Sequence, residues 1–175
     1  MKETMGTLLF LLVVGLCDCN PAHPEKMAAR QCGLCREAEK QSPETAIFFL
    51  KDINPRKPNR WLALPRKHGA DHHSIADLPQ DERTALWIAA IAKAKELFGD
   101  EWALAINGDL ARTQCHTHIH IGKFIKGVEI DNFIVVGGPA DIPAPKDGTG
   151  LWVHPVGKKL HVHLGEQITE TVLVR

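Results

Sequence analysis

At 175 residues, with 44% hydrophobic and 24% charged residues, the chain is long enough for one globular domain with a proper core. Lys plus Arg and Asp plus Glu balance at 21 each and no basic cluster stands out, which argues against nucleic acid as a partner. Histidine, at ten residues, is the compositional outlier and points to metal or proton chemistry.

Residues 1–19 read as a signal peptide or membrane anchor. Lys2 precedes an apolar run from Leu8 to Leu16, which has signal-peptide length and is too short to span a bilayer unaided. Glu3 weakens the positive start, and no small-x-small cleavage site comes after it. Cys17 and Cys19 invite a lipoprotein reading that Leu16 and Asp18 do not suit. The expectation is a membrane-anchored or extracytoplasmic protein; the alternative is a cytoplasmic one with an unusual N-terminus. Residues 20–30 read as linker.

The rest of the chain carries no internal repeat or low-complexity tract. Short apolar runs at 46–50 and 61–64, bounded by Asn54-Pro55, Lys57-Pro58-Asn59 and Pro65, predict two strands joined by a turn. Pro79 opens a helix with Asp81 and Glu82 in its first turn, where the dipole favours them. Trp87, Ile91, Ala94 and Phe98 recur at helical spacing as one buried stripe, and Gly99 stops the helix. A strand over Trp102–Ile106 runs into the polar loop 107–114.

Gln114-Cys115-His116-Thr117-His118-Ile119-His120-Ile121 comes next. Read as a strand, it sets His116, His118 and His120 on one face roughly 6.6 Å apart, with Ile119 and Ile121 anchoring the other. Imidazoles so placed can supply a nucleophile and a neighbouring proton donor near neutral pH. Cys115 alternates to the opposite face and reads as a buried thiol. Further on, residues 131–136 predict a strand, 137–150 a Pro/Gly-rich loop, and 151–154 with 160–164 a hairpin around Gly157-Lys158-Lys159. His161 and His163 share a strand face there; a solvated face and a metal site are both open. The sum is an α+β domain, a mostly antiparallel sheet on one long helix, with 125–175 as a C-terminal β extension.

Cys32-Gly33-Leu34-Cys35 can grip a zinc ion with two further ligands, for which His68 and His116 are candidates; a redox pair or a simple disulfide is the alternative. Four motifs in order now resemble the histidine-triad (HIT) superfamily over residues 31–124. They are the Cys-x-x-Cys pair, Asp52-Ile53-Asn54-Pro55, Pro65-Arg66-Lys67-His68, and the triad from His116 to Gly122 with Thr117 at one apolar position. The resemblance implies a HIT-like fold and a hydrolase in which His118 attacks the α-phosphorus of a nucleotide conjugate and His120 assists. It implies Asp52 on the ribose hydroxyls, Asn107 on the phosphate, and a structural Zn²⁺ on Cys32, Cys35, His68 and His116. A homodimer is implied as well, since many relatives pair.

Two departures sharpen the substrate. Arg60 stands where many members carry a histidine, and the loop from Asn107 to His116 is two residues shorter than usual. Ala105-Ile106-Asn107 followed by Arg112-Thr113-Gln114 is similar instead to the CDP-diacylglycerol pyrophosphatase branch, which also has an N-terminal membrane segment. That likeness implies Arg112, Thr113 and Gln114 as substrate-binding residues and a nucleotide-lipid substrate at a membrane. Arg112 reads as a phosphate clamp or as a solvated loop charge. A second function stays open: a non-catalytic extracytoplasmic protein whose histidines bind zinc or copper.

Overall fold

Seven strands form one antiparallel sheet in the computed structural model, which describes residues 32–68 and 73–175. The segments expected at 1–19 and 20–30 lie outside the described residues. In chain order the strands are β1 (Ile47–Lys51), β2 (Trp61–Pro65), β3 (Trp102–Ile106), β4 (Ile119–Lys123), β5 (Ile134–Val136), β6 (Gly150–Val156) and β7 (Lys159–Glu166). Helix α1 (Gly33–Glu39) precedes β1, and helix α2 (Gln80–Phe98) connects β2 to β3. Across the sheet the order is β1-β2-β4-β3-β6-β7-β5, so the fold is α+β with a wholly antiparallel sheet.

Strand alternation divides the sheet into two faces. Ala63, Leu104, Ile119, Ile121, Leu151, Val153 and Val162 meet the buried side of α2, which presents Leu86, Trp87, Ala90, Ile91 and Ala94. The expected stripe is therefore core, with Phe98 at its margin and Leu86 and Ala90 widening it. Each large apolar side chain buried there contributes about 1.5–3 kcal/mol. Among the described residues no helix is long and apolar enough to cross a membrane.

The opposite face carries His120, His154, His161 and His163. Ala103 and Ala105 of β3 are small, so a strap of chain from Gln167 to Val174 lies flat against them, burying Val172 and Leu173 beside Trp152 and Phe124. Backbone bonds tie the strap down at Gly108 N–H to the Gln167 carbonyl (2.9 Å), Ile125 N–H to the Val172 carbonyl (2.9 Å) and Val174 N–H to the Lys123 carbonyl (2.8 Å). Arg60, only 2% exposed at the start of β2, holds the same segment from below. Its guanidinium donates to the carbonyls of Glu170 (2.9 Å), Leu173 (2.6 Å) and Val174 (3.1 Å) and to the Glu170 carboxylate (2.6 Å).

The histidine segment differs from expectation. β4 begins only at Ile119, so His116 and His118 precede the strand and His120 alone lies in it. The pairing with β2 stops at Ala63↔Ile119. Beyond that point the His116 ring, through Nε2, takes the Pro65 carbonyl (2.8 Å).

Replacing Arg60 leaves a half-buried carboxylate and three carbonyls short of a donor. Arg60→Met is expected to cost about 3 kcal/mol, read as a lowered urea midpoint together with faster proteolysis of the strap.

Candidate functional site

A cleft of about 730 Å³ opens on the α1 side of this face, between the β1–β2 connection, the loop after β3 and the strap. Seven residues singled out in the sequence line it: Asp52, Asn107, Arg112, Thr113, Gln114, His118 and His120. Its size lies within the range of small-molecule sites.

His118 is held in one tautomer. Its Nδ1–H donates to the His116 carbonyl at 2.8 Å, which leaves Nε2 with the lone pair. The rings of His118 and His120 meet edge to face at 4.8 Å. Burial lowers the His118 pKa, and burial together with the neighbouring His118 lowers that of His120, so both imidazoles are neutral at pH 7.

Two groups that sequence reasoning missed complete this wall. Glu170 sits with Oε2 3.8 Å from His120 Nδ1, and Lys57 binds the same oxygen at 2.5 Å. Burial works to raise the Glu170 pKa, but His120, Lys57 and Arg60 outweigh it and hold the carboxyl down at about 2. No motif marks Glu170; it reaches the cleft because the β6–β7 hairpin returns the chain across the sheet.

The other side chains are already oriented. Asn107 Oδ1 accepts from Thr169 N–H (3.0 Å) and Glu170 N–H (3.3 Å), which leaves its NH2 as the group that can donate into the cleft. Asp52 Oδ1 accepts from Asn54 N–H at 2.9 Å, fixing the carboxylate at the turn after β1. Gln114 Oε1 takes the Leu34 N–H at the start of α1 (3.2 Å). Arg112 bonds the His73 carbonyl and pairs with Asp109 (2.9 Å), so it is a fixed charge at the cleft wall rather than a solvated one.

The four residues of the implied zinc set each have another partner in this arrangement. Cys32 is disulfide-bonded and is not a thiolate donor. Cys35 lies with its sulfur 3.5 Å from that of Cys115, which is half-buried rather than buried. His68 and His116 meet edge to face at 5.7 Å, but Nε2 of His68 is taken by Glu39 (2.5 Å) and Nε2 of His116 by Pro65. Cys32 so bonded supplies no thiolate, whereas His68 keeps a buried Nδ1 that makes no hydrogen bond and could serve a metal. A different group, Glu129, His154 and His161, gathers its donor atoms within 4.8 Å of one another and can hold a metal ion.

The two depressed imidazoles make stability pH-dependent. The unfolded chain binds protons near pH 6.5, before the folded one does, so this contribution is full above about pH 6.5 and is lost progressively below it. Urea midpoints should fall between about pH 7 and 5. His120→Gln should reduce that slope without flattening it, because His163, its pKa also lowered by burial, remains.

No known protein-family model matches the chain, so its functional reading rests on the geometry of this cleft.

Proposed function

We propose that this chain is a histidine-triad-type hydrolase that cleaves the diphosphate of a nucleotide conjugate through a nucleotidyl-His118 intermediate, with CDP-diacylglycerol as substrate and CMP and phosphatidate as products. The observation that carries the reading is the locked His118 tautomer in the cleft, with its Nε2 lone pair available beside a neutral His120. Nucleophilic imidazole needs that lone pair, and burial preserves it at neutral pH.

The groups present define the steps. His118 Nε2 attacks the α-phosphorus, forming a P–N bond, while the P–O bond to the second phosphate breaks and its electrons leave on the phosphatidate oxygen. Water then attacks the same phosphorus and releases its proton to solvent, the P–N bond breaks with its electron pair returning to Nε2, and neutral His118 is restored as CMP departs. His120 donates a hydrogen bond to a phosphoryl oxygen as charge develops there. The Asn107 amide and the Arg112 guanidinium bind the remaining phosphate oxygens, and Asp52 accepts from the ribose hydroxyls. Glu170 stabilises charge on His120 and, through Lys57, keeps a cation at the same wall.

One exposed apolar side chain of the cleft lining and one on the loop that carries Arg112 support a lipid substrate. Ile53 is 97% exposed and lines the cleft, and Leu110, beside Arg112, is 83% exposed. Such residues on loops rimming a polar site fit contact with a bilayer or micelle surface. An N-terminal anchor would hold the enzyme there. The alternative, a non-catalytic zinc- or copper-binding protein, would draw on a different set, since the metal-capable group among the described residues is Glu129, His154 and His161 and includes no triad histidine.

CMP release from CDP-diacylglycerol in detergent micelles is the test. His118→Ala should lower it on the order of a thousandfold or more; release that survives the substitution overturns the mechanism. Leu110→Asp should slow release from micelles about tenfold, as loss of one buried leucine implies, while leaving hydrolysis of a soluble cytidine diphosphate conjugate unchanged. Turnover of the soluble conjugate alone would keep His118 in its role and remove the lipid from the reading.

A further inference from the structure

The histidines left over by the cleft lie on the same sheet face, at its far end. Pairing runs His120↔Ala105, Ala105↔Trp152 and Trp152↔His163, one straight row across β4, β3, β6 and β7. Three strand spacings separate His163 from the cleft, about 14 Å. On the next rung His154 and His161 are direct cross-strand partners. Alternation turns Leu151, Val153 and Val162 toward α2, so Trp152, His154, His161 and His163 all face the other way.

From the loop between β4 and β5, Glu129 reaches over this rung. Its Oε1 lies 2.8 Å from His154 Nε2, 2.7 Å from His161 Nδ1 and 3.5 Å from His163 Nε2. Aromatic rings fix the imidazoles in place: Phe124 stacks on His154 (4.4 Å), Phe133 on His161 (4.1 Å) and Trp152 on His163 (3.5 Å). His163 is fully buried, and neither ring nitrogen makes a hydrogen bond, although Nε2 is directed at the Glu129 oxygen.

We propose that Glu129, His154 and His161 bind a borderline divalent transition ion such as Zn²⁺, with His163 as the fourth donor within reach. Two imidazoles and one carboxylate suit that class and not calcium or magnesium, which take oxygen ligands. A tetrahedral ion with bonds of about 2.0–2.1 Å sets its ligand atoms roughly 3.3 Å apart. Entry therefore requires Glu129 to move outward by a few tenths of an ångström, which its partly exposed position on a loop permits. The ion replaces the proton that each histidine now shares with Glu129 and pins the β4–β5 loop to the β6–β7 hairpin. This site is independent of the triad and of the cysteines.

The test uses the metal alone on the full chain. Equilibrium dialysis against Zn²⁺ should leave wild type with one equivalent more than either Glu129→Gln or His161→Ala, and Zn²⁺ should raise the thermal midpoint of wild type but not of Glu129→Gln. Cobalt in place of zinc should show the visible bands of nitrogen and oxygen ligands without a thiolate-to-metal charge-transfer band. Equal stoichiometry in wild type and Glu129→Gln, a thiolate band, or no zinc retained by wild type overturns the proposal. Glu129 lies in an exposed loop, so its variant decides the matter even if His161→Ala fails to fold.

Discussion

Arg60 is the constraint on which the histidine-bearing face depends. A buried guanidinium offers five N–H donors in a rigid plane, and here that plane is turned almost entirely to one short segment, through three carbonyls and the Glu170 carboxylate. A lysine at this position has no planar fork to match that set. Because the segment crosses the sheet over Ala103 and Ala105, fixing it also fixes the carboxylate next to His120 and the backbone N–H groups that orient Asn107. One buried cation thereby sets the electrostatics of a wall made from three distant parts of the chain.

The sheet face separates two kinds of histidine by their surroundings. At the cleft, His118 and His120 are buried against each other and a carbonyl, and burial keeps them neutral. At the far end, three imidazoles converge on one carboxylate between stacked aromatic rings. The first arrangement favours attack by a lone pair on an electrophile that enters the cleft. The second places several lone pairs around one point, which is the requirement of a cation. The same residue type, on the same face, is directed to different chemistry by its neighbours.

Local patterns made much of this legible in the sequence. The Trp87, Ile91 and Ala94 stripe, the Pro79 start and the Gly99 stop of α2 follow from helical periodicity and terminal chemistry, which are short-range effects. Trp102–Ile106 is a strand because an apolar run that short, buried on both faces, has few other uses. The cleft residues Asp52, Asn107, Arg112, His118 and His120 were found because each belongs to a short motif, and a motif survives in the sequence whatever the fold does around it.

Tertiary structure decided the rest. Where the histidine strand begins depends on how far β2 can pair, and the sequence of β4 holds no record of that. Glu170 and Lys57 sit 113 residues apart in the chain and meet only because the hairpin and strap return across the sheet. Convergence of Glu129 on His154 and His161 likewise needs a strand register and a loop path set by packing over the whole sheet. Side-chain chemistry is written residue by residue, so the sequence by itself determined which groups this protein has to work with. Their distances are set by long-range contacts, so only the folded chain decided which of those groups act together.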